Sequence, residues 1–236
     1  MTPIVDKLSR GSSTETAILE AARDLLAQGG IDALSMRAVA ARVGVSATAI
    51  YNYFDNKQAL VQSVISSGFE RFDGYLRDAV ADRPPGSAER LKALGEAYIL
   101  FALENREYFR VLFAMHAELP RDIEELPEGS GYALFRQSVI DAMDAGTIRR
   151  TDPDLVVLYL WTLVHGLVTL LLGCKPNARC RHSGEDLDAH DLFTRFDELV
   201  YLGIQPQQSL EAETLPGSGS YIEMKSPDVT ATGPRE

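Results

Sequence analysis

The sequence predicts an all-α protein: an N-terminal three-helix head of the helix-turn-helix type, then a C-terminal helical bundle. Three observations predict it. Apolar residues recur at spacings of three and four almost throughout, helix-capping residues and Gly or Pro punctuate those runs, and no stretch alternates convincingly as a strand does. With 236 residues, 45% hydrophobic and 24% charged, the chain can bury a full core. The expected domains are a head over 12–60, a bundle over 61–204 and a disordered tail over 205–236.

Thr14 or Thr16 caps a first helix carrying Ile18, Ala21, Ala22, Leu25 and Leu26 on one face, and Gly29-Gly30 ends it. Ser35 caps a second, short helix with Met36, Val39, Ala40 and Val43 inward. Gly44 closes that helix and Ser46 caps a third, so the connection is about as short as a helix-turn-helix needs. Ile50 and Phe54 hold the third helix to the core. After Asp55-Asn56, the residues Leu60, Val64, Phe69, Phe72, Leu76 and Val80 mark one long amphipathic helix, broken at Pro84-Pro85-Gly86. Leu91, Leu94, Tyr98 and Phe101 mark the next, with a shorter helix around Tyr108 to Met115. Glu118 to Gly131 is acidic, contains Pro120 and Pro127, and is expected to be a loop. A helix over about Ala133 to Ala145 follows. Asp152-Pro153 then caps and opens an apolar helix. Cys174 to Asp188 is polar and irregular, and Leu192, Phe193, Phe196, Leu199 and Val200 mark a last helix. From Gln205 onward apolar residues thin out, as in disordered tails.

Charge and motif content exclude several classes of function. The formal charge of −11 argues against a uniformly basic nucleic-acid coat. Through Leu60, however, six basic residues face six acidic ones, so the whole negative excess lies beyond the head. The N-terminus has no apolar run of signal-peptide length, and two cysteines are too few for a disulfide framework, so a cytoplasmic protein is expected. Leu155 to Leu172 is an 18-residue run without Asp, Glu, Lys or Arg, just long enough for a membrane span. Thr162, His165, Gly166 and Thr169 inside it count against that, and a helix buried in a soluble bundle looks the same. Cys174, Cys180, His182 and His190 could bind zinc, but their spacing is not that of the common structural sites, and no metal or cofactor is expected. No Gly-rich phosphate loop, Gly-x-Ser-x-Gly elbow or His-Glu-x-x-His occurs, so an enzyme is not expected. The rival readings are a helical small-molecule carrier without DNA function and a single-span membrane protein.

The informative segment is Ser35 to Leu60, SMRAVAARVGVSATAIYNYFDNKQAL. Two short helices joined through Gly44 and locked by Val39, Val45, Ile50 and Phe54 present the outer face of the second to a DNA major groove. That face holds Ala47, Thr48, Ala49, Tyr51 and Asn52. Asn52 can pair with adenine, Thr48 can reach a base or phosphate, and an alanine can meet a thymine methyl. Tyr53, Lys57 and the capping hydroxyls of Ser35 and Ser46 suit phosphate contacts. Ordinary core aromatics would also account for Tyr51, Tyr53 and Phe54.

The same segment resembles the DNA-binding head of the TetR family of transcriptional regulators, strongly over about residues 14–62. The matching features are Ser35 opening the second helix, the Gly44-Val45-Ser46 turn, Tyr51-Asn52-Tyr53-Phe54, and Lys57 three residues after the Phe. The resemblance implies groove contacts from Arg37, Ala47, Thr48 and Tyr51, and phosphate contacts from Ser35, Tyr53 and Lys57. Tyr53 stands where His is commoner; either can donate to a phosphate.

Farther along, Trp161, His165 and Gly166 resemble the Trp-x-x-x-His-Gly signature of the WHG type of TetR ligand-binding domain, as does Asn105 to Phe113. This implies a ligand pocket under the head involving Tyr98, Phe101, Phe109, Trp161 and His165, with a small, substantially apolar effector. In the other reading Trp161 fills the core, His165 is a satisfied buried histidine and Gly166 lets another helix come close. The family also implies a homodimer through the last two long helices, here about Pro153 to Leu172 and His190 to Leu202. A fully apolar helix needs cover on its last side, and two-fold symmetry suits a palindromic double-stranded DNA operator. The expected protein is therefore a ligand-responsive regulator, in the repressor sense, with DNA, an effector and a second copy as partners and no membrane.

Overall fold

Hydroxyl, carboxylate and amide caps start most of the helices in the computed structural model, which describes residues 4–114, 129–173, 180–182 and 185–206. In order these are α1 (Ile4–Ala33), α2 (Met36–Val43), α3 (Ala47–Tyr51), α4 (Lys57–Val80), α5 (Ala88–Glu104), α6 (Arg106–Phe109), α7 (Gly131–Asp144), α8 (Pro153–Gly173) and α9 (Ala189–Ile204). A π-helical turn, Arg110–Ala114, continues α6. The fold is all-α, apart from a small antiparallel hairpin of β1 (Cys180–His182) and β2 (Glu185–Leu187). Among the described residues that hairpin is the one departure in element type: two three-residue strands are too short to leave an alternating pattern in the sequence.

α1 begins well before Thr14 and Thr16, so neither starts the helix. No proline interrupts residues 4–13, and Gly11 alone costs a helix only about 1 kcal/mol. Helical geometry fails where expected, at Gly29 and Gly30, the latter at φ 72° and ψ −166°, a region open essentially to glycine. Ser35 Oγ accepts from the Ala38 N–H at 3.1 Å, Ser46 Oγ from Ala49 at 3.2 Å, and Asn56 Oδ1 from Ala59 at 2.9 Å. Asp188 caps α9 in the same way, through the Asp191 N–H at 2.9 Å.

The head and the first half of the bundle share one core. Ile18, Ala22, Leu26, Val39, Ile50 and Phe54 pack into the same cluster as Leu60, Val64, Phe72 and Phe101. The helix α4 runs through the expected 60/61 boundary, so the head is joined to the bundle by a rigid rod and not by a linker. A second cluster, of Val139, Ala142, Met143, Ile148, Val156, Val157 and Ile204, binds α7, α8 and α9 together. Gly68 lets α6 come close to α4: a Cβ there would sit 2.9 Å from Tyr108 Cδ1. Buried Asn105 ties the same region together, donating to Tyr75 and to the Phe101 carbonyl and accepting from Arg71 at 3.0 Å. The acidic loop expected over Glu118 to Gly131 lies mostly outside the described residues, as do Cys174 and the expected tail beyond Pro206.

α8 is not covered on all sides. Val156, Val157, Leu167 and Val168 are buried, but Leu155, Leu158 and Leu170 are 60%, 55% and 71% exposed. Leu199 and Leu202 of α9 are 66% and 61% exposed. By length and composition α8 could cross a membrane, with 22% of its apolar window buried within the chain.

Candidate nucleic-acid interface and internal cavity

The turn between α2 and α3 fixes the angle at which α3 leaves the head. Gly44 adopts φ 78°, and the N–H groups of Gly44 and Val45 both return to the Ala40 carbonyl, at 2.9 and 3.0 Å. Val39 and Ile50 are fully buried across that turn and Phe54 nearly so, which rotates the opposite side of α3 outward. Thr48, Tyr51, Asn52 and Tyr53 are exposed there, together with Ser35, Arg37 and Ser46 at the start of the two helices. Tyr51 is 51% exposed, a cost that a core aromatic would not bear. Both serine hydroxyls accept a capping bond and keep their own O–H proton to donate.

Two expected contact residues sit differently. Ala47 is half-buried and packs on the head core, because it follows the Ser46 cap on the inward-turning side of α3. Lys57 is half-buried and its Nζ donates to the Ile31 carbonyl at 2.5 Å, tying the start of α4 to the end of α1. Its remaining ammonium protons stay free to meet a phosphate. Asp24, which the sequence reading did not single out, accepts from Arg23 at 2.6 Å and from Arg42 of α2 at 3.2 Å. Arg23 also lies 5.1 Å from the Tyr108 ring centroid, with Arg71 at 5.6 Å, so α6 touches the head through a tyrosine between two guanidinium groups.

Behind the head, α4, α5, α7, α8 and α9 line a cavity of about 1070 Å³ that is partly open to solvent. Aromatic rings dominate its wall, among them Phe69, Phe113, Phe135, Trp161, Phe193 and Phe196. Of the residues expected there, Tyr98 and Trp161 line it, whereas Phe101, Phe109 and His165 do not. Phe101 has no exposure and packs against Phe72 and Tyr75, ring centroids 5.0 and 5.6 Å away. His165 shares the Trp161 face of α8 but turns toward α6, where Phe109 stacks on it at 5.6 Å.

Trp161, Tyr98 and His165 form one hydrogen-bonded chain. The Trp161 Nε1–H donates to the Tyr98 hydroxyl at 3.3 Å, and that hydroxyl lies 2.8 Å from His165 Nδ1. If the Tyr98 proton goes to His165, the hydroxyl accepts one bond and donates one, with Nδ1 the acceptor of a neutral imidazole. Burial lowers the His165 pKa below its ordinary value, which favours that neutral form. Gly166 is exposed and a Cβ there would meet none of the described residues within 4 Å, so among them it serves no close helix approach. Two carboxylates reach the cavity without having been singled out in the sequence. Asp73 accepts from the Gly131 N–H at 2.8 Å, and Asp197 lines the same cavity as Phe193 and Phe196; burial raises the pKa of both.

The sequence model of a family described as bacterial regulatory proteins, tetR family, matches residues 18–64, and that of a tetracyclin repressor-like C-terminal domain matches residues 91–195. The chain is similar to the HTH-type transcriptional repressor KstR of Rhodococcus jostii, 37% identical over 34% of this chain and 37% of that one. It is similar also to the HTH-type transcriptional regulator YobS of Bacillus subtilis, 28% identical over 41% of this chain and 49% of that one. The chain therefore spans less than half the length of either relative. Among solved structures, a TetR family transcription regulator from Marinobacter aquaeolei superposes with a TM-score of 0.63 at 20% identity, over 83% of this chain and 97% of that one. A protein of unknown function from Rhodococcus sp. RHA1 gives 0.61 at 25% identity, over 81% and 95%.

Proposed function

The chain belongs to the TetR family of bacterial regulatory proteins, and we propose that it is a cytoplasmic, ligand-responsive transcriptional repressor. It binds a palindromic DNA operator as a homodimer and releases it when a small, largely apolar effector enters the cavity. The observation that carries this reading is α3 with the turn that follows it, where Thr48, Tyr51, Asn52 and Tyr53 are exposed while Ile50 and Phe54 are buried. Groove reading by Thr48, Tyr51 and Asn52 and phosphate contacts from Ser35, Ser46, Tyr53 and Lys57 fit that geometry; Arg37 is exposed in the first turn of α2. Repression in particular is proposed by analogy with KstR, which is named a repressor.

The leucine stripe of α8 and α9 supports the dimer. Leu155, Leu158 and Leu170 recur along α8, while the opposite side of that helix is built into the bundle core and the cavity wall. A membrane span would have to leave that core; a second copy covers the stripe without disturbing it. The route from cavity to head is short: Phe113 lines the cavity, Phe109 and Tyr108 follow on α6, and Tyr108 meets Arg23 of α1. Differential binding worth about 1 to 3 kcal/mol between two head spacings would change operator affinity roughly 5- to 150-fold.

Selection of duplexes from a random pool tests the proposal, with affinities measured at two salt concentrations and repeated for Lys57→Ala and Tyr53→Ala. One palindromic motif, bound more weakly by both variants, is the expected outcome. A folded protein that enriches no motif would return the weight to a helical carrier.

A further inference from the structure

We infer that the cavity takes a hydrophobic organic cation, such as an aromatic or bulky quaternary or protonated amine, with Asp197 as its counter-ion. The inference deepens the effector reading above and rests on it for its biological meaning. Its physical basis is the cavity wall. Aromatic rings from five segments face one space: Phe69 on α4, Phe113 on the π-helical turn, Phe135 on α7, Trp161 on α8, and Phe196 on α9. Ring faces carry negative quadrupole potential, so an aromatic wall of this kind favours a cation over an anion of the same shape.

The charged groups around the cavity point the same way. Among the described residues Glu70, Asp73, Glu89, Asp197 and Glu198 line it, against Arg77 and Lys92. Asp73 already accepts a backbone N–H, from Gly131. Asp197 is different: it is half-buried, and no described residue gives it a hydrogen bond or salt bridge. Among the described residues Lys92 is the one cation acting on it, while Glu96 and Glu198 add like charge. A half-buried carboxylate with no hydrogen bond or ion pair from a described residue, on a wall that also carries Phe193 and Phe196, bears a desolvation cost. A cation seated between Asp197 and the rings would relieve that cost, and an acidic ligand would increase it.

Trp161 is the only tryptophan and lies on the cavity wall, so its fluorescence reports occupancy directly. The test titrates the full chain with tetraphenylphosphonium and tetraphenylborate, ions of nearly the same shape and opposite charge, with triphenylphosphine oxide as a neutral control. Salt near 0.15 M screens the general field of the acidic protein. The phosphonium is expected to bind at 1:1, at least tenfold more tightly than the borate. Asp197→Asn is expected to lose about tenfold for the phosphonium and to leave the neutral ligand within about twofold. Equal or tighter borate binding, no saturable binding of the phosphonium, or an unchanged phosphonium affinity in Asp197→Asn would overturn the inference. Operator binding measured on the same wild-type protein keeps the two readings apart. A cavity that prefers the borate in a protein that binds its operator refutes the cation alone. A cavity that prefers the phosphonium in a protein that binds no operator refutes the regulator alone.

Discussion

The head and the α8/α9 face both expose large apolar side chains, but in different chemical company. On the head the exposed rings are Tyr51 and Tyr53, flanked by Thr48, Asn52 and Ser35. Each tyrosine carries a hydroxyl, so the surface can be covered by something wet and hydrogen-bonding, such as a DNA groove with its phosphates. On α8 and α9 the exposed residues are mainly leucines, which offer no hydrogen bond and gain only by excluding water. Only another apolar surface satisfies them, and an identical face across a two-fold axis is one. Exposure alone therefore says little about function, and the polarity of the neighbours says more.

That contrast can be broken first at the leucine face. The double variant Leu170→Glu with Leu202→Glu places like charges across the proposed two-fold. It is expected to sediment as a monomer and to bind the operator at least about 100-fold more weakly, because the two heads then bind independently. A variant that stays dimeric would move the interface elsewhere. At the head, Tyr51→Ala is expected to cost about 1 to 3 kcal/mol of operator binding in a fluorescence anisotropy titration. Its thermal stability should change by no more than about 0.5 kcal/mol, since half of that side chain is already in water. Substantial unfolding in the same variant would mean that Tyr51 is a core residue.

Smaller effects sharpen the junction between the two regions. Gly68→Ala drives a methyl group into Tyr108 and should destabilise the fold by about 1 to 3 kcal/mol in denaturant titration. Tyr108→Leu keeps the apolar volume roughly but removes the ring from between Arg23 and Arg71. It should narrow the gap between operator affinities with and without effector, a few-fold at most. Unchanged coupling would remove α6 from the route. The smallest effect is a pH dependence through His165. Burial lowers its folded pKa below the ordinary value of 6.5, so below about pH 6.5 the unfolded chain binds the extra proton. Its contribution to stability is present above that pH and is lost as pH falls toward the folded value. The drop in melting temperature between pH 7.5 and 5.5 should therefore be smaller in His165→Gln than in the wild type.

The head was largely legible in the sequence because its determinants are local. Ser35, Gly44 and Ser46 each act within four residues of themselves, through a cap or a left-handed turn, and Ile50 and Phe54 set the phase of α3 directly. What the sequence did not settle there depends on residues far apart in the chain, such as Lys57 reaching Ile31 or Asp24 joining Arg42. The cavity was legible only in outline. Trp161 and His165 share a helix face, but which one borders empty space depends on how α6 packs against α8, and helical spacing is silent about that. Phe113, Asp73 and Asp197 come to one wall from three elements distant in sequence, with no motif to join them. The hairpin of Cys180–His182 and Glu185–Leu187 escaped for its shortness, and the solvent-facing side of α8 because a uniformly apolar run does not say which side is left uncovered.

The most direct measurement is the mass of the complex that the full chain forms with its selected duplex, compared with a duplex carrying one half-site. Two protomers on one palindromic duplex, with half-site affinity lower by about 100-fold or more, is the predicted result. A single protomer bound to the palindrome, or equal affinity for the half-site, would contradict the account.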